Sequence, residues 1–209
     1  MRKWFSLLLL LAAANAWGAT VPAVLVLGDS LSAGYGIDVD QSWPALLQAR
    51  LETEGYEHRV VNASISGETT EGAVQRIDAA LDRFTPAVVV IELGGNDGLR
   101  GFPPQRLESN LRTLIEESRA AGAAVALLGI RIPTNYGPRY TEAFEAVYEK
   151  LAAEYELPWI DFFMQGVALN DDLMQDDGIH PNAAAQQKLL DNAWPVIRQA
   201  LEHSTTGVD

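Results

Sequence analysis

The 209-residue chain contains no cysteine. That excludes disulfides, thiolate zinc sites, iron–sulfur clusters, a cysteine nucleophile and lipid attachment to an N-terminal cysteine. Positive charge is also scarce: 15 Lys and Arg stand against 28 Asp and Glu, a formal net charge of −13. Nucleic-acid backbones and anionic membrane surfaces are bound by clustered cations, so this balance argues against both as partners. There are no internal repeats, low-complexity stretches or linkers, and no apolar run long enough to span a bilayer comfortably. What remains is a globular mixture, 48% hydrophobic and 21% charged, sized for one domain with a full core.

The N-terminus reads as an export signal. Arg2 and Lys3 precede an uncharged run over residues 4–14, and Ala14-Asn15-Ala16 gives the small-x-small pattern of a signal-peptidase site. Residues 1–16 are therefore expected to be a signal peptide, cut between positions 16 and 19, and residues 17–209 a single domain. Export outside the cytoplasm follows, with no stable membrane insertion after cleavage.

Beyond the signal, strand-length apolar runs alternate with amphipathic segments of helix length. Strands are predicted at 23–27, 59–62, 87–93, 124–130 and 158–162. Helices are predicted at 42–54, 70–84, 105–121, 140–155 and 182–201, the last kinked or broken at Pro195. This alternation predicts an α/β fold, a five-stranded parallel sheet with helices on both faces. In such folds ligands bind beyond the carboxyl ends of the strands.

Those ends carry a parts list for acyl transfer. Gly28-Asp29-Ser30-Leu31-Ser32 follows the first strand, Asn62-Ala63-Ser64-Ile65-Ser66-Gly67 the second and Gly94-Gly95-Asn96-Asp97 the third. Asp177-Gly178-Ile179-His180-Pro181 precedes the last helix. Serine is a poor nucleophile until a base takes its proton, so Ser30 needs an imidazole, and His180 is the best candidate. Asp177, three residues earlier in a glycine-containing turn, can hold the other ring nitrogen. The backbone N–H groups of Ser30 and Gly67 and the side-chain amide of Asn96 are candidate oxyanion donors. Each motif alone is common. Ser32, Ser64 and Ser66 are rival hydroxyls better read as loop or capping groups, and His58 and His203 read as surface residues. The four motifs together, each where the fold rule requires it, make the joint reading strong.

These blocks resemble those of the GDSL, or SGNH, hydrolase family. Val61-Asn62-Ala63-Ser64-Ile65-Ser66-Gly67-Glu68-Thr69, Glu92-Leu93-Gly94-Gly95-Asn96-Asp97-Gly98-Leu99-Arg100-Gly101, Asn135-Tyr136-Gly137 and Met174-Gln175-Asp176-Asp177-Gly178-Ile179-His180-Pro181 are similar to its bacterial branch of multifunctional acyl-CoA thioesterases, proteases and lysophospholipases and the related periplasmic arylesterases. The resemblance implies a three-layer α/β/α, flavodoxin-like fold with strand order 2-1-3-4-5. It implies Ser30 as nucleophile, His180 as base, Asp177 as its orienting acid, and Ser30, Gly67 and Asn96 as the oxyanion hole. It implies mobile loops at 98–104 and 131–138 that accept acyl chains, which makes Leu99, Phe102, Ile132 and Pro133 candidate substrate contacts; packing of those loops onto the domain is the alternative.

The activity implied is a serine esterase acting on carboxylic esters and thioesters, with no cofactor and no metal, working as a monomer in the periplasm. Coenzyme A is cytoplasmic and strongly anionic, so an exported acidic enzyme is expected to act on neutral or zwitterionic acyl esters such as lysophospholipids. A carbohydrate O-deacetylase and a non-catalytic lipid-binding protein are the competing readings.

Overall fold

The computed structural model describes residues 21–206. The expected signal peptide over residues 1–16 and its expected cleavage range lie outside the described residues. Five parallel strands form one sheet in the order β2-β1-β3-β4-β5: β1 Ala23–Gly28, β2 Arg59–Asn62, β3 Pro86–Glu92, β4 Ala124–Leu128 and β5 Trp159–Ile160. This is the strand order that the family resemblance implies. Every residue of β1 is buried, as the unbroken apolar run requires of a strand covered on both faces. The central strands β1 and β3 align Val26 with Val90 and Gly28 with Glu92. Their carboxyl ends are therefore level, and the residues that follow each emerge side by side.

The helices are α1 Ser30–Ala33, α2 Trp43–Thr53, α3 Thr70–Val74, α4 Ile77–Phe84, α5 Gly95–Leu99, α6 Pro104–Ala120, α7 Pro138–Glu154 and α8 Gln186–Thr206. α2 and α8 pack on each other and on the sheet, while α6 packs against α3, α4 and α7. Gln186 at the start of α8 accepts the Trp43 backbone N–H at 3.0 Å, so one helix satisfies an orphan donor at the start of the other.

Four expectations are corrected in detail. The helix predicted over 70–84 is two, α3 and α4. Arg76 leaves helical geometry (φ −126°, ψ −3°) and turns its guanidinium back onto Glu68, a contact that hydrophobic periodicity does not register. The break at Pro195 does not occur: α8 runs through it, with Leu189, Ala193, Ile197 and Leu201 wholly buried, so tertiary packing outweighs the lost hydrogen bond. The chain before α8 is a 3₁₀ turn, Ala183–Ala185, capped by Asn182, whose side chain accepts from the Ala184 N–H at 2.9 Å. β5 is confined to Trp159–Ile160, narrower than the apolar run.

Candidate active site

Ser30 opens α1 directly after β1. Asp29 caps that short helix, its Oδ1 accepting the Leu31 N–H at 3.0 Å. His180 comes from the far end of the sequence and places Nε2 2.9 Å from Ser30 Oγ. Its Nδ1 lies 2.6 Å from Asp177 Oδ2. Asp177 Oδ1 also accepts the backbone N–H groups of Ile179 and His180, each at 2.9 Å. A three-residue turn thus fixes both the carboxyl group and the ring that it faces. The His180 N–H, then the imidazole, then the Ile179 N–H hold the Asp177 carboxyl down to about 2. Of the rival serines, Ser32 is buried and donates to Glu92 Oε2 at 2.6 Å.

Asn96 lies in α5, the short helix that follows β3. Its Nδ2 donates to Asp29 Oδ2 at 3.1 Å, tying the end of β3 to the residue beside Ser30. One amide hydrogen is so engaged, and the second remains to meet another acceptor. Gly67 sits beyond β2 at φ +79°, and a Cβ there would meet nothing within 4 Å. Its carbonyl accepts from Arg100 Nη2 at 3.0 Å.

Sequence reasoning missed the groups behind this arrangement. Glu92, the last residue of β3, is fully buried. Burial first, and then the neighbouring Asp29 charge, push its carboxyl well above the carboxylate range. Trp43 Nε1 donates to Ser32 Oγ at 3.2 Å, and Ser32 passes its own hydrogen to Glu92. Burial likewise raises Asp29 to about 6. On the histidine side, the Tyr35 ring lies 4.4 Å from the His180 ring, tilted by 38°. Gln175 Nε2 donates to the carbonyls of Tyr35 (2.8 Å) and Pro181 (2.9 Å), joining the loop after Ser30 to the loop of His180. Glu92 and Gln175 stand within the quoted motifs, but no spacing rule assigns them partners.

The four candidate acyl-chain contacts separate. Leu99 is 38% exposed and Pro133 is exposed. Phe102 is half-buried under the Arg106 guanidinium. Ile132 is corrected: it is 6% exposed and belongs to the core, packed so closely over Gly98 that a Cβ there would overlap it. Tyr136 and Tyr140 donate to the carbonyls of Leu99 and Phe102, both at 2.7 Å, so the two loops are linked. Among the described residues, no group of His, Asp and Glu is placed to hold a metal ion, and no helix is long and apolar enough to cross a membrane.

The model of the GDSL-like Lipase/Acylhydrolase family matches residues 26–188. The chain is 53% identical over 183 residues to Esterase TesA of Pseudomonas aeruginosa, covering 88% of this chain and 91% of that one. It is 47% identical over 203 residues to Thioesterase 1/protease 1/lysophospholipase L1 of Escherichia coli, covering 97% and 96%. A crystal structure of TesA superposes with a TM-score of 0.83 at 53% identity, over 85% of this chain and 99% of the other.

Proposed function

The chain belongs to the GDSL-like lipase/acylhydrolase family, and from that premise we propose that it is a serine esterase that cleaves carboxylic esters and thioesters through an acyl-enzyme. The observation that carries this reading is the unbroken chain from Ser30 Oγ to His180 Nε2 and from His180 Nδ1 to Asp177. Ser30 Oγ attacks the acyl carbon while its proton passes to His180 Nε2. The carbonyl oxygen becomes an oxyanion, stabilised by the N–H groups of Ser30 and Gly67 and by the Asn96 amide. His180 then gives the proton to the departing alcohol or thiol. Water attacks the Ser30 ester with His180 again as base, and the free acid leaves. Asp177 holds the ring in the tautomer that leaves Nε2 free to accept. Leu99, Phe102 and Pro133 are the acyl-chain contacts in this reading.

The N-terminal sequence supports export to the periplasm, after removal of residues 1–16 as a signal peptide. That removal takes away Arg2 and Lys3 and moves the net charge from −13 to −15. An exported protein of that charge rarely meets coenzyme A and repels it. The physiological substrates are therefore neutral or zwitterionic acyl esters, lysophospholipids among them. All three groups of the catalytic chain come from one subunit, so a monomer is sufficient for the reaction.

Steady-state kinetics at low salt on lysophosphatidylcholine, palmitoyl-CoA and a chain-length series of p-nitrophenyl esters test this. The expected kcat/KM for lysophosphatidylcholine is at least that for palmitoyl-CoA. A much higher value for the CoA ester overturns the substrate assignment, and turnover by Ser30→Ala overturns the mechanism.

A further inference from the structure

The loops that present Gly67 and Asn96 are stitched together one step behind those residues. Asp97 directly follows Asn96 and is 1% exposed. Its Oδ2 accepts the Thr70 backbone N–H at 2.9 Å, and its Oδ1 accepts the Thr70 hydroxyl at 2.5 Å. Thr70 is itself wholly buried. Asn110 on α6 donates to Thr70 Oγ1 at 3.0 Å, so the hydroxyl accepts from Asn110 and gives its own hydrogen to Asp97. Arg100, the residue after α5, adds a second link, to the Gly67 carbonyl.

We propose that Thr70 and Asp97 are positioning residues that set the separation between the Gly67 backbone N–H and the Asn96 side-chain amide. This deepens the acyl-transfer reading and rests on it. Thr70 lies three residues after Gly67, and Asp97 is bonded to Asn96, so the bridge acts on the two donors over a short length of backbone. Gly67 has open space around it. Hydrogen bonds, rather than side-chain packing at that residue, must then hold it. An oxyanion hole contributes only when its donors stand in place before the charge develops, and a misplacement of about 1 Å can cost about 10²-fold in rate. A buried carboxyl group is costly unless its oxygens are satisfied. Here both are satisfied by one threonine, which makes the link specific to that residue.

Three variants test the proposal on a p-nitrophenyl ester: Thr70→Val, which keeps the shape and loses the hydroxyl; Thr70→Ser, which keeps the hydroxyl; and Thr70→Val combined with Asn96→Ala. Thr70→Val is expected to lower kcat about ten- to a hundredfold, with KM unchanged within about twofold. Thr70→Ser is expected to restore kcat close to that of the parent enzyme. In the Asn96→Ala background, where one of the two positioned donors is gone, the cost of Thr70→Val is expected to shrink markedly. The proposal is overturned if Thr70→Val leaves kcat unchanged or moves KM alone. It is equally overturned if Thr70→Ser is as slow as Thr70→Val, or if the cost is undiminished in the double variant. Should Thr70→Val not fold, Asp97→Asn is read by the same criteria. Ser30→Ala is run alongside: an active Ser30→Ala refutes the serine mechanism, whereas an inactive one beside a neutral Thr70→Val refutes the bridge alone.

Discussion

Ser30 and His180 reach each other from two differently built halves of one site. The serine half grows out of the core. Asp29, Glu92 and Asp97 are buried at or just beyond the carboxyl ends of the central strands, with Thr70 buried against them at the start of α3, and most of their polar atoms are satisfied by one another and by nearby backbone. The histidine half is a surface turn, with Asp177 exposed and anchored by two N–H groups of its own loop and by the ring of His180. The acids on the two sides are shifted in opposite directions. Desolvation pushes Asp29 and Glu92 up, while local hydrogen bonds hold Asp177 down to about 2. The fold therefore favours a carboxylate charge behind the imidazole and disfavours charge on the acids buried on the serine side. The lesson is that the group needing a charge partner sits where water helps to carry that charge, whereas Asn96 and Gly67 are tied in place by hydrogen bonds to neighbouring segments.

The largest effect should come from severing the junction between the halves. Ser30→Ala and His180→Ala are each expected to lower kcat by several orders of magnitude while leaving the thermal midpoint near that of the parent. Combining them should cost little more than either alone, because the two groups act as one unit. Additive losses would show that the halves work separately.

Next comes damage confined to the serine half. Asn96→Ala is expected to reduce kcat roughly 10²–10³-fold, and an unchanged rate would remove Asn96 from the oxyanion hole.

The smallest effect sharpens the contrast between the acids. Glu92 is protonated in the folded protein above the pH at which it ionises in the unfolded chain. The folded state then binds a proton that the unfolded state lacks, so this group removes stability as pH rises above the carboxylate range, by at most ~1.4 kcal/mol per pH unit. Glu92→Gln is neutral at every pH and escapes that loss. Thermal melts should show the variant gaining on the parent as pH rises above the carboxylate range, with kcat at neutral pH little changed. Parallel curves would mean that Glu92 is ionised in the fold. Asp177 runs the other way. Its depressed carboxyl adds stability that is complete above the unfolded-state value and is lost as pH falls toward about 2.

The contrast also explains what could be read from the sequence. Ser30, Asn96, Asp177 and His180 were legible because each sits in a short motif beside a strand or a helix start, and the α/β rule brings those places to one edge. The sheet was legible because unbroken runs such as Val24–Leu27 have no other use at that length. What escaped depends on contacts between distant segments. Ser32 looked like a loop hydroxyl because its partners, Glu92 and Trp43, lie 60 and 11 residues away. Ile132 looked like a groove residue because nothing local says that Gly98 leaves room beneath it. Arg76 breaks a helix that periodicity draws as continuous, and Pro195 fails to break one, because a salt bridge in one case and a buried face in the other outweigh local preference.

The acyl-enzyme mechanism requires that Ser30 be the one serine that His180 activates. Intact-mass and peptide analysis after treatment with a fluorophosphonate probe measures this. One adduct per chain on Ser30, absent from Ser30→Ala, is the expected result. No adduct on the folded protein, or an adduct on Ser32, Ser64 or Ser66, would contradict it.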